Sequence, residues 1–244
     1  RKSVLPVLFL VLFTTTGVRG QQDPMFTNYF FNSLIFNPAV AGVNGHLTGT
    51  LIHRSQWLGL EGAPSTQSLS LHAPLRNERI GLGLSLVNDK IGAGGTFDAS
   101  TSYAYHFPLN KKLKLSVGLQ AGVTNWRGDW QKLEVEDGTD AVFAENLSRW
   151  LPNFGAGVFL HSDRFFAGAG CPRILEYDLR DNQGTTSFYA KTYRHYYTIV
   201  GAAFPLSNEQ VVFRPSALLK STGNAGRTDK IQARGGKLGF QVEI

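Results

Sequence analysis

Cysteine is almost absent from this chain of 244 residues: Cys171 stands alone, which excludes an intramolecular disulfide and a thiolate metal centre. Long apolar runs are missing as well. Nothing approaches the roughly 20 continuous apolar residues that a membrane-spanning helix needs. Charge is scarce at 17% of residues, whereas glycine occurs 27 times and aromatics make up 12%. That mixture fits neither a disordered chain nor an average soluble domain. Catalytic spacing is lacking too. His46, His53, His72, His106, His161 and His195 are isolated, with no HExxH pair. Asp89, Glu134, Glu136, Asp137 and Asp140 match neither an EF-hand nor an acid/base pair. Gly81-Leu82-Gly83 sits within an alternating stretch and lacks the following helix of a phosphate cradle. The residues therefore point to no enzyme, cofactor or metal.

What is present begins with an address. Arg1 and Lys2 precede the apolar Val4–Phe13, and Val18 and Gly20 supply small residues for cleavage, so residues 1–20 read as a signal peptide with the mature chain starting at Gln21. Cys171 does not follow this leader, which argues against a lipid-anchored N-terminus. The formal net charge of +6 includes Arg1, Lys2 and Arg19. Without them 21 basic residues face 18 acidic ones, and the remaining Lys and Arg are scattered. A solvated surface explains them, and no nucleic-acid partner is expected.

The main signal is alternation. Leu113, Leu115, Val117, Leu119, Ala121 and Val123 alternate with Lys114, Ser116, Gly118, Gln120 and Gly122, the period of a strand with two different solvents. Similar stretches occur at His46–Trp57, Gln67–Ala73, Ile80–Asn88, Phe97–Phe107, Asn153–His161, Arg164–Cys171, Tyr193–Phe204, Gln210–Lys220 and Leu238–Ile244, ten candidates in all. Pro215 weakens one of them. Thr124–Leu151, polar and carrying Trp126, Trp130 and Trp150, reads as the longest connection, and Ser221–Gly236 as a polar glycine-rich one. The expected fold is all-β, a transmembrane antiparallel β-barrel over residues 46–244, preceded by an irregular segment, 21–45, at the mouth or in the lumen. A soluble β-sandwich alternates in the same way, because its core also has one dry face.

At Gln22, Asp23, Pro24, Phe26, Asn28 and Tyr29, then Asn37, Pro38, Ala39, Ala41 and Gly42, the chain resembles the PorP/SprF family of Bacteroidetes outer-membrane proteins. Arg54, Gln56 and Trp57 continue the likeness, as do Ser102 to His106 and Ser116 to Gly122. It covers about Gln22 to Lys220. After Lys220 family members run on through several more strands, which leaves a smaller closed barrel and an incomplete one as alternatives here. The resemblance implies an outer-membrane barrel of a Gram-negative bacterium associated with the type IX secretion system and, in gliding relatives, with surface adhesins. It implies no catalysis. Expected partners are outer-membrane lipid and periplasmic machine components or an exported adhesin, with docking or anchoring as the role. The motif positions Gln22, Asp23, Pro24, Asn37, Pro38, Ala39, Gly42, Arg54, Gln56 and Trp57 are candidates for partner contact or for folding. A porin or hydrophobic-solute transporter is the alternative, since polar inward faces could line a pathway. A soluble periplasmic or secreted domain is the third reading.

Overall fold

The computed structural model describes residues 32–129, 146–177, 192–206, 211–223 and 232–243, by their backbone alone at 147, 205–206, 211 and 232–243. The expected signal peptide and the motif positions Gln22, Asp23 and Pro24 lie outside the described residues. Two 3-10 turns, Ser33–Ile35 and Pro38–Val40, come first. The strands are β1 (Thr48–Ser55), β2 (Ser65–Pro74), β3 (Ile80–Ile91), β4 (Gly94–Pro108), β5 (Lys114–Gly128), β6 (Leu147–His161), β7 (Phe165–Cys171), β8 (Arg194–Ala202), β9 (Phe204–Leu206), β10 (Val211–Gly223) and β11 (Gln232–Glu243).

All eleven strands form one antiparallel sheet in which neighbours in sequence are neighbours in space, with β9 as a short extra partner of β10. The fold is all-β and of the barrel type. The sheet curls until Thr48 and Thr50 of β1 line the same cavity as Arg214 of β10. Among the described residues no pairing joins β1 to β11.

Each of the ten expected strands is present, and the differences lie at their ends. β5 continues to Gly128 and β6 begins at Leu147, so the expected connection Thr124–Leu151 shrinks to residues 129–146. At this end the outward face turns polar with Asn125 and Arg127 while Thr124 and Trp126 face in, and hydrophobic alternation fades while the hydrogen-bonded ladder does not. β10 likewise runs on to Gly223 and β11 starts at Gln232 within the stretch read as polar and glycine-rich. Pro215 does not break β10, because it sits where the strand changes partner. Phe213 pairs with Phe204 of β9 and Ser216 with Gly201 of β8, so on this side Pro215 falls between two ladders, while on the other it keeps its place in the register with β11.

The two faces carry the reverse of a soluble core. Leu51, Leu71, Leu82, Leu84, Val117, Leu119, Phe154, Val158, Val200 and Leu219 are exposed on the outside. Ser68, Ser70, Ser85, Ser100, Ser102, His106 and Ser116 are buried within. A sandwich would bury the leucines and expose the serines, so the alternative of a soluble sandwich is set aside. On β4 the outward residues Phe97, Ala99, Thr101, Tyr103, Tyr105 and Phe107 span about 33 Å of strand at 3.3 Å per residue. Tilted by about 40°, that is an apolar band about 25 Å tall, the height found on transmembrane barrels. Each large apolar side chain kept from water here contributes about 1.5–3 kcal/mol.

The strand ends differ as well. At one end the connections are residues 75–79, 109–113, 162–164 and, by way of β9, 203–210; at the other they are 56–64, 92–93, 129–146, 172–193 and 224–231. The first is the short-turn mouth, the second the long-loop mouth.

Candidate functional site

The interior is organised around one row of small residues. Register pairs Pro74 with Gly81, Gly81 with Ala104, Ala104 with Gly118, Gly118 with Gly157, Gly157 with Gly170, and Gly170 with Tyr197. Five strands, β3 to β7, thus present no side chain larger than a methyl group at one level of the lumen. A shallow trough crosses the sheet there.

The chain's own segment from Phe36 to Gly42 lies in that trough. A Cβ added at Gly81 would overlap the Ala41 carbonyl, one at Gly118 the Ala39 nitrogen, one at Gly157 the Asn37 side chain, and one at Gly170 the Phe36 carbonyl. At Gly81, Gly118 and Gly170 backbone meets backbone, and at Gly157 the Asn37 amide meets it, an approach that glycine permits. Ala39, Ala41 and Ala104 are completely buried as a result. Leu34 closes the row from one side, its side chain 3.0 Å from where a Cβ of Gly83 would stand.

Local sequence shapes the segment to fit. Asn37 caps the Pro38–Val40 turn by accepting the Ala39 N–H at 3.0 Å, and Pro38 occupies the first position, where a missing N–H costs nothing. The same Asn37 side chain donates through Nδ2 to the Val158 carbonyl of β6 at 2.9 Å, so both ends of its amide are used. Gly42 then turns the chain out at a φ of +77°, a region favourable to glycine. Its N–H donates to Nδ1 of His72 at 3.0 Å. On the far side Phe36 meets Tyr197 with ring centroids 4.9 Å apart, and Phe159, Ile199 and Leu218 complete an apolar cluster.

Polar groups of the inner face are paired across strands, beside the seat and on toward the long-loop mouth. His106 Nδ1 and Ser116 Oγ are 2.6 Å apart, Thr124 donates to Asp98 at 2.6 Å and Thr66 to Asp89 at 2.5 Å. Four histidines, His72, His106, His161 and His195, share the inner face. Among the described residues no three of His, Cys, Asp and Glu gather to hold a metal. Between the seated segment, β1, β2 and the β6–β7 turn remains a cavity of about 460 Å³ with Leu34, Val40, Val43, Phe159 and Phe166 in its wall.

Of the motif positions, Asn37, Pro38, Ala39 and Gly42 are brought together on the glycine row. Arg54, Gln56 and Trp57 are not. Arg54 pairs with Thr66, eight positions along β2 from Pro74, or about 26 Å at 3.3 Å per residue. Gln56 donates its N–H to Pro64 in the β1–β2 loop at 3.0 Å, and Trp57 beside it is exposed. The row itself, Gly157 and Gly170 included, was not singled out from sequence. Its signal was the excess of glycine on the polar face, which acquires a position only when the register is known.

A family model described as Type IX secretion system membrane protein PorP/SprF matches residues 18–236. The chain belongs to that family. Among curated proteins no individual relative matches. The PorP/SprF match takes in the seated segment, the whole glycine row and β1 to β10, and it runs past Lys220, where the departure from the family was expected. The chain is therefore a type IX secretion membrane protein whose barrel-type sheet carries part of its own N-terminal region inside.

Proposed function

We infer that this chain is a non-enzymatic outer-membrane docking component of the type IX secretion or gliding machinery, holding a periplasmic component or an exported adhesin at the membrane. The observation that carries the reading is the occupied lumen. A solute path along the glycine row would have to displace Phe36–Gly42, whose backbone lies against β3, β5 and β7 and whose Asn37 side chain lies against β6. A barrel that fills itself is better suited to present surfaces than to conduct. Because short turns mark the periplasmic side of such barrels, the Asn37 seat belongs to the periplasmic half and the β1–β2 loop to the cell-surface mouth. The test is a native-detergent pull-down of the tagged protein from outer membranes, with co-purifying chains identified by mass spectrometry. Recovery with secretion or gliding components supports docking; recovery alone counts against it.

The cavity of about 460 Å³ beside the seat favours a second reading, transport of a hydrophobic solute. Single-channel recording and solute uptake distinguish the two, since a docking barrel is electrically silent.

A further inference from the structure

The long-loop mouth carries an apolar patch that lipid does not explain. In the β1–β2 loop Trp57, Leu58 and Leu60 are 68%, 89% and 61% exposed, and Ile91 at the end of β3 is 57% exposed. The loop is built to hold this display. Leu60 donates its N–H to Trp57, Ala63 to Leu60, and Gly92 of the β3–β4 turn to Gly62 at 2.8 Å, tying the loop to the turn beside Ile91. Trp57 itself has a φ of +52°, a left-handed backbone that a bulky residue rarely adopts.

Its level decides the occupant. On β1 to β3 the outward apolar band ends at the row of Leu51, Leu69 and Leu86. On these strands the next row is polar, His53, Gln67 and Asn88, and it continues into aromatic residues at Phe97 of β4 and Trp150 of β6; the row after it carries Ser55, Ser65, Lys90 and Arg127. The loop departs from the Ser55–Ser65 pair, one row past Phe97 and Trp150 and about 13 Å along the strand from Leu51. Four large apolar side chains at that height face water, and clustered exposure of this kind marks a protein contact. Lys90 and Arg127 are exposed below it, while Glu61 is the loop's only acid.

Resting on the docking reading, we propose that Trp57, Leu58, Leu60 and Ile91 form the contact surface for a protein partner at the cell-surface mouth. The partner presents an apolar cleft that takes Trp57 and Leu58, with acidic groups at its rim opposite Lys90 and Arg127. The test places a photo-crosslinker in the full chain in its own outer membrane, as Leu58→p-benzoylphenylalanine, with Asn110→p-benzoylphenylalanine at the short-turn mouth as control. The expected result is an adduct from position 58 alone, with a protein that mass spectrometry identifies as part of the secretion machinery or exported by it. Adding Trp57→Ala and Leu60→Ser should lower its yield at least about tenfold, while heat-modifiable gel migration shows the barrel still folded. An adduct with lipid, with a second copy of this chain or with an unrelated protein, or no adduct, overturns the proposal. Docking itself is judged separately by the pull-down. Undiminished partner recovery by the Trp57→Ala, Leu60→Ser variant removes this loop and leaves docking standing, whereas an empty pull-down of the unsubstituted protein removes both.

Discussion

The glycine row and the β1–β2 loop place aromatic and glycine residues to opposite ends. On the row, glycines remove side chains so that Phe36–Gly42 can lie on the wall, and the contact is buried and water-free. In the loop, Gly59 and Gly62 take positive φ values so that Trp57, Leu58 and Leu60 can stand out into solvent. The same residue type serves close approach in one place and projection in the other. Packing fixes the first region, and nothing within the described residues covers the second, which is why stability should respond to changes on the row and partner contact to changes in the loop.

The contrast can be broken most severely from outside both regions. Leu119→Arg, on the exposed apolar face of β5, is expected to cost about 2–4 kcal/mol near the midplane; denaturant unfolding in lipid vesicles measures it, and a neutral result would mean that this face does not meet lipid. Next in size is Gly118→Leu. Its side chain takes the space of Ala39, so overpacking of about 1–3 kcal/mol should accompany expulsion of the segment and turn a silent barrel into a conducting one in a planar bilayer. Continued silence would show that the seat does not close the lumen.

A smaller effect is expected from Asn37→Ala, which removes the turn's cap and the bond to Val158. Loss of about 1–2 kcal/mol, read as a lower melting temperature in detergent, should come with faster proteolysis near Pro38; full protection would mean that glycine packing alone holds the segment. The smallest is Trp57→Ala, with stability within about 0.5 kcal/mol of the unsubstituted protein. A large drop in melting temperature there would make the loop a folding element and erase the contrast.

Much of this architecture was legible from the alternation, because a strand between lipid and a polar interior needs an apolar residue at every second position. Where that demand lapses, so did the reading. β9, three residues containing Pro205, passes for the connection from Pro205 to Glu209, and the mouth ends of β5 and β6 mix polar residues with Trp126 and Trp150 instead of alternating. Asn37, Pro38, Ala39 and Gly42 stood out as a motif, yet their place was hidden. It depends on Gly81, Gly118, Gly157 and Gly170, which are scattered over 90 residues and become one feature only through register. Trp57 stood out by type, but its height above the lipid band also follows only from counting paired rows.

The bond from Asn37 to Val158 spans 121 positions of sequence. Contacts so distant form late, after the intervening loop entropy has been met. The seat for residues 36–42 is complete only once β3 to β7 have paired, although the segment precedes all of them in the chain. Folding order therefore runs against chain order: the Asn-Pro-Ala turn is the closing step of assembly, and its burial marks a sheet that has come together in register.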